Sequence, residues 1–336
     1  MESKDVSYGD AIGLVLSGGG AKGAYQAGVW KAMVETGIAD RVQVISGTSV
    51  GAINAAAFSA IRDPARIESL WRNGVSAIVT PNFKALSPLK MLEVIENFMD
   101  GKPFSVHGLL DKDALESFLT NALKATKQAV GNPVVYATSL ECRGEAFGEF
   151  DRTSYRKTCF RIDDELSLDL KIAKILASCA IPLCFSPVEI AGRRYVDGGW
   201  DAMGGENVPI TPLLRKHTDL STIVVVRCNS KSIEPEPLKI PSKAANKIIE
   251  IRPKEPLPGI FDIGNIGGGL LAGALIPGIG VGGTLSLILS ALGGLFASNR
   301  AKVWGATLAF SSDYTDQFFS RGYEDGIGTF WGALSW

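Results

Sequence analysis

The tightest constraint on this chain lies in residues 13–51, where two short apolar runs each end in a glycine-framed turn and each turn opens into a helical pattern. Residues 13–16 (Gly13, Leu14, Val15, Leu16) and 42–45 (Val42, Gln43, Val44, Ile45) are short, apolar and rich in β-branched side chains, so each reads as a buried strand. The first run leads into Ser17, Gly18, Gly19, Gly20, Ala21, Lys22 and Gly23, the second into Gly47, Thr48, Ser49, Val50 and Gly51. Beyond the first turn, Tyr25, Val29, Ala32 and Met33 fall on one helical face, and Gly37 supplies a stop. Strand, turn, helix and strand make a βαβ unit, with a right-handed crossover and parallel strands. Both turns therefore lie on one edge of a sheet, which makes Gly20 and Ser49 neighbours.

The chemistry of the two turns is complementary. Ser49, framed by Gly47 and Gly51, has the G-x-S-x-G spacing of a nucleophile on a strained strand-to-helix turn, where glycines let backbones approach closely. A helix N-terminus behind it favours developing negative charge. Gly18, Gly19 and Gly20 offer backbone amides uncovered by side chains, suited to an oxyanion hole for an attacked acyl carbonyl. Each motif alone has a blander reading. With 38 glycines in 336 residues a G-x-S-x-G pattern arises readily by chance, and Gly18, Gly20 and Gly23 also fit the G-x-G-x-x-G of a dinucleotide-binding turn. Against that alternative, no acidic residue ends the second strand, which runs into the serine turn instead. A Walker A loop would need lysine where Ala24 stands.

A serine nucleophile needs a base, and the chain has only two histidines, His107 and His217. His107 lies in a loop-like stretch, and His217 follows Arg215 and Lys216 at what reads as a solvated helix end. Asp197 is the stronger candidate. A short strand pair around Ala191 and Gly192 delivers it to Gly198 and Gly199, where its carboxylate can approach another backbone. On its own this segment would be an ordinary Asp-Gly turn.

Taken together and in this order, residues 14–29, 47–55 and 195–200 resemble the patatin-like phospholipase family. The likeness continues through residues 172–187 and 321–326, and covers most of residues 11–254 and 305–326. It implies a Ser-Asp dyad without histidine, with Ser49 as nucleophile, Asp197 as general base, and Gly18, Gly19 and Gly20 around the oxyanion. Lys22 matches the basic position of the glycine loop, and Gly23, Gly47, Gly51, Gly198 and Gly199 are supporting turn positions. The implied activity is phospholipase A-type hydrolysis of membrane-lipid esters through an acyl-serine, with no cofactor and no metal. An aspartate near its reference pKa of about 3.9 is a weak base at neutral pH, so desolvation must raise it or the barrier must fall elsewhere. The family pattern is interrupted by the segment 263–299, and residues 201–206 intervene between the Gly198–Gly199 turn and Asn207, lengthening a loop beside the site.

Residues 134–137 and 223–226 read as further strands of the parallel core, giving a three-layer α/β/α sandwich with a mainly parallel central sheet. Residues 64–129 read as mostly helical, with Leu89, Leu92, Val94, Ile95, Phe98, Leu110, Leu115, Leu119 and Leu123 forming either a wall for an acyl chain or ordinary helix packing. The expected organisation is a catalytic core over 1–254, a glycine-rich hydrophobic helical insert over 255–303, and a return to the core over 304–336. Residues 263–299 contain no charge, and their glycines recur four apart at Gly264 and Gly268, Gly269 and Gly273, and Gly278 and Gly282. Such a segment suits membrane insertion, a lid, or self-association into a homo-oligomer. A pore former or scaffold using this segment, and a nucleotide-binding module using the Gly18 loop, stand as alternatives.

Composition fits an enzyme that meets a lipid surface: 46% hydrophobic and 21% charged residues support one substantial core. A formal charge of −1 argues against nucleic acid as a partner. The charged amino terminus lacks a secretory signal pattern, and five cysteines without metal-ligand spacing read as free thiols, so a cytoplasmic setting with membrane association is expected.

Overall fold

The computed structural model describes residues 11–78, 80–81, 110–124, 132–143, 154–181, 185–232, 234, 237–238, 240, 247–257 and 312–331. The apolar segment 263–299, His107 and the apolar positions between 89 and 98 lie outside the described residues.

The core sheet is parallel where the apolar runs predict it. β1 (Ile12–Leu16) pairs in parallel with β2 (Val42–Thr48) on one side and with β9 (Thr222–Val226) on the other. β2 pairs in parallel with β5 (Val134–Cys142), and β9 with β10 (Lys247–Ile251). β1 and β9 are buried at every residue because helices cover both faces, which is why their sequences are continuous apolar runs. Alternate side chains serve opposite layers. Leu14, Leu16, Ile45, Val135, Ala137, Val224 and Val226 join one core, while Val15, Val44, Tyr136, Ile223 and Val225 join the other. The result is a three-layer α/β/α sandwich.

The first core packs beneath α1 (Gly23–Glu35), α2 (Val50–Ala60) and α3 (Pro64–Ile78), with α4 (Lys112–Lys124) and α5 (Leu168–Cys179) completing the layer. The second is capped by α6 (Thr211–Lys216), through Leu213. The helical expectation for residues 64–129 holds for α3 and α4 only in part. Leu110 belongs to β4 (Leu110–Asp111), paired antiparallel with β3 (Thr80–Pro81), so it is a strand residue and not the start of a helical stripe. Two strands of the main sheet carry weak apolar signals: β6 (Tyr155–Arg161) exposes Arg156, Lys157 and Arg161, and β10 exposes Lys247 and Glu250. Such charges suit strands away from the sheet centre, where they deter pairing with other chains.

α7 (Ser312–Phe330) lies so close to α1 that a Cβ on Gly322 would stand 2.0 Å from the Tyr25 carbonyl oxygen, and one on Gly28 would stand 2.0 Å from that of Phe319. The Tyr25 hydroxyl, wholly buried, donates to Asp325 Oδ2 at 2.8 Å across this interface. Gly322→Ala is therefore expected to force the helices apart and to destabilise the protein by about 3 kcal/mol, read as a lower midpoint in urea without loss of two-state behaviour.

Candidate active site

The site arises where two strands meet end to end. β5 is flanked along Tyr136–Cys142 by antiparallel β6 on one side. On its other side β2 occupies Val134 to Thr138, and from Ser139 onward the place is taken by antiparallel β8 (Arg193–Asp197). Thr48 is the partner of Thr138 and Asp197 the partner of Ser139, so the carboxyl ends of β2 and β8 converge head-on at adjacent residues of β5. Ser49 and Asp197 are brought together by this convergence. β8 enters from β7 (Val188–Ile190) through Ala191 and Gly192, both at positive φ (51° and 72°), the signature of a tight two-residue hairpin turn.

Ser49 has φ 56° and ψ −127°, a conformation rare for a residue with a side chain, and it immediately precedes α2. Such strain at a serine is the geometry of a nucleophile elbow. The flanking glycines are required by contact: a Cβ on Gly47 would stand 2.1 Å from the Gly51 carbonyl oxygen, and one on Gly51 would stand 2.3 Å from that of Leu16. Three consecutive residues at the end of α5 hold the two sides of the junction. The Ser49 amide donates to Ser178 Oγ (3.0 Å), the Cys179 thiol donates to the Ser49 carbonyl (3.2 Å), and the Asp197 amide donates to the Ala180 carbonyl (2.9 Å).

Asp197 is buried, with 6% exposure. Its Oδ1 accepts the Gly199 amide at 2.7 Å, while Oδ2 is shielded from solvent and has no hydrogen-bond partner among the described residues. Burial pushes the carboxyl up from 3.8 to about 6, against the opposing pull of the Ser49 hydroxyl and the Gly199 amide. Desolvation is thus the physical cause that moves this carboxyl toward neutral pH. Gly198 permits this placement, since a Cβ there would stand 2.3 Å from the Thr138 carbonyl oxygen.

The glycine loop lies against the elbow. A Cβ on Gly18 would stand 3.3 Å from Ser49 Cβ, and Gly20 has φ 57°. The three glycine amides are not equivalent. Gly18 donates to the Asn207 carbonyl at 3.0 Å, whereas the Gly19 and Gly20 amides have no acceptor among the described residues. Lys22 is buried, and its Nζ donates to Asn229 Oδ1 at 2.6 Å. Burial lowers its pKa to about 8, with Cys228 and Glu234 opposing. Its ammonium therefore ties the glycine loop to the end of β9 and is not presented to a phosphate group, which weighs against nucleotide binding. Gly23 packs against Val50 and the Trp71 ring, joining the loop to α2.

Sequence reasoning placed the loop 201–206 beside the site but passed over the parts that Thr48, Gln26, Asn54 and Trp71 play around it. The extended loop 201–206 closes on the elbow, with Thr48 Oγ1 donating to the Glu206 carbonyl at 2.8 Å and the Asn207 amide donating to Asp201 Oδ1 at 2.9 Å. Asn207 Oδ1 fills the crevice between Gly18 and Gly199. Below the loops, Asn54 donates to Gln26 Oε1 and accepts from Trp71 Nε1, while Gln26 donates to the Ser17 carbonyl, so a buried polar chain links α1, α2 and α3 under the glycine turn. His217 is engaged elsewhere, with Nε2 3.1 Å from the Tyr136 hydroxyl.

A strained serine, a buried carboxylate and adjacent glycine amides thus meet at one edge of an α/β/α frame. The model of the family described as "Patatin-like phospholipase" matches residues 14–214. The chain belongs to the patatin-like phospholipase family. It is 41% identical over 73 residues to "Patatin-like phospholipase domain-containing protein ZK370.4" of Caenorhabditis elegans, covering 21% of this chain and 5% of that one. It is 41% identical over 75 residues to "Lysophospholipase nte1" of Aspergillus terreus, covering 19% and 5%. The matched stretches thus span about one twentieth of these relatives' length. Among solved structures, "Human GIVD cytosolic phospholipase A2" matches at a TM-score of 0.43 and 14% identity, covering 100% of this chain and 61% of that one. Among the described residues no helix is long and apolar enough to cross a membrane, and no group of His, Cys, Asp and Glu is placed to hold a metal ion.

Proposed function

We propose that this chain is a lipid acyl hydrolase of phospholipase A type, in which Ser49 attacks a carboxylic ester of a membrane phospholipid and Asp197 serves as general base. The observation that carries the reading is the head-on junction of β2 and β8, which faces a strained serine with a buried carboxylate whose pKa stands near 6. Asp197 accepts the Ser49 proton as Oγ bonds to the ester carbon. The Gly19 and Gly20 amides hold the resulting oxyanion, and Gly18 supports the loop through its bond to Asn207. Collapse of the tetrahedral species breaks the ester bond, and the departing lyso-lipid alkoxide takes the proton from Asp197. Water then attacks the acyl-serine, giving its proton to the same carboxylate, and fatty acid is released as Ser49 is reprotonated.

The buried base sets the pH dependence. Asp197 accepts a proton only when ionised, so kcat is expected to rise with pH through a midpoint near 6 and to be about tenfold below its plateau at pH 5. The test of the assignment is fatty-acid release from phosphatidylcholine and phosphatidylglycerol vesicles, with products identified by mass spectrometry. Release by the wild type that vanishes in Ser49→Ala supports it. Equal release by both proteins would overturn it.

A further inference from the structure

We infer that Ser178 is a positioning residue that sets the attack angle of Ser49, an inference that rests on the hydrolase reading above. β2 pairing ends at Thr48, and the Ser49 amide lies one residue beyond it, outside both the sheet ladder and the ladder of α2. A buried amide in that position needs a partner. The Ser178 hydroxyl supplies one, accepting from Ser49 N at 3.0 Å while donating to the Thr138 carbonyl at 2.6 Å. One wholly buried hydroxyl therefore spans the nucleophile's backbone and the strand on which β2 and β8 converge.

That carbonyl is the common reference point. Gly198, directly after Asp197, packs so closely on Thr138 O that a Cβ would stand 2.3 Å away. Ser49 and Asp197 are thus both measured from Thr138, one through the Ser178 hydroxyl and the other through the glycine contact. Cys179 adds a second hold on Ser49 by donating to its carbonyl, and burial keeps that thiol protonated, with Asp197 reinforcing the effect. Removing the Ser178 oxygen frees the Ser49 amide from its acceptor. The elbow, at φ 56°, then has less to oppose its relaxation toward an ordinary conformation.

A role in positioning differs from a role in stability by what it moves. Ser178→Ala is expected to lower kcat by about 10- to 100-fold, because small misplacements of reacting groups have effects of that size, with KM changed by less than about twofold. The pH midpoint of kcat should stay where the wild type has it, since Ser178 does not bond the Asp197 carboxyl. Ser178→Cys, close in volume and retaining a weaker acceptor, should fall between the two in kcat whatever its melting temperature. Should Ser178→Ala fail to fold, Ser178→Cys and Cys179→Ala provide the same test, each weakening one hold on Ser49. Kinetics on phosphatidylcholine vesicles are to be measured at a temperature where circular dichroism shows every variant folded. A kcat ordered wild type, Cys, Ala at constant KM and constant pH midpoint is the expected result. A folded Ser178→Ala with wild-type kcat overturns the inference and leaves the dyad standing, whereas wild-type hydrolysis that survives Ser49→Ala removes both.

Discussion

Ser49→Ala is expected to lower kcat/KM for phospholipid hydrolysis by about 10⁴-fold or more, with the fold intact. The hydrogen bonds that tie the elbow to the end of α5 are made by the Ser49 backbone: its amide bonds Ser178 and its carbonyl receives the Cys179 thiol. Alanine keeps both, and its Cβ meets the same steric conditions at φ 56°. What disappears is the oxygen that the proposed mechanism requires for the acyl bond. Open amides at Gly19 and Gly20 remain and can polarise an ester, so a small residual rate above buffer is compatible with the mechanism. Thermal unfolding monitored by circular dichroism should place the variant within a few degrees of the wild type, which separates lost chemistry from lost structure. Ser49→Gly would be similarly inactive but more stable, because glycine occupies positive φ without strain.

Asp197→Asn is expected to be comparably inactive and, at neutral pH, more stable than the wild type. The carboxyl rises from 3.8 to about 6 on folding because burial disfavours its charge. The folded state consequently binds a proton more tightly than the unfolded one, and wild-type stability declines as pH rises from 3.8 through about 6. At about 1.4 kcal/mol per unit, the carboxylate at pH 7 costs about 3 kcal/mol. Asparagine is neutral throughout, and its Oδ1 can still accept the Gly199 amide. The stability difference between Asp197→Asn and wild type should therefore be smallest at pH 4, increase through pH 6 and level off by pH 8. Urea titrations at those three values read the difference directly, and a pH-independent difference would show that Asp197 carries no such strain. Under the proposed mechanism, that expense is what keeps the carboxylate usable as a base near neutral pH.

Much of the frame is legible in the primary structure because its signals are local. Short apolar runs with β-branched residues mark β1, β2 and β9, and the Ala191–Gly192 turn marks the hairpin that carries Asp197. The glycines around Ser49 are legible for the same reason, since close backbone contacts at Gly47 and Gly51 leave no alternative residue. The junction itself is not local. Nothing in residues 42–48 or 193–197 states that both strands claim the same edge of β5, one ending where the other begins. Its consequence, a carboxylate deprived of water, is equally invisible until the strands meet. The differing duties of Gly18, Gly19 and Gly20 depend on Asn207, far away in the chain. Ser178 looks like any small helical residue until its hydroxyl is seen between Ser49 and Thr138. Edge strand β6 escapes notice because its exposed charges break the apolar alternation by which strands are recognised.

The most direct test of the proposed dyad is to locate the covalent bond that it would make. The purified protein would be treated with an alkyl fluorophosphonate, which phosphonylates an activated serine by displacing fluoride, then digested and mapped by mass spectrometry. The account predicts a single adduct on the peptide containing Ser49, absent in Ser49→Ala and formed far more slowly in Asp197→Asn. Labelling of a different residue, or labelling at Ser49 that proceeds at the wild-type rate without the Asp197 carboxylate, would contradict it.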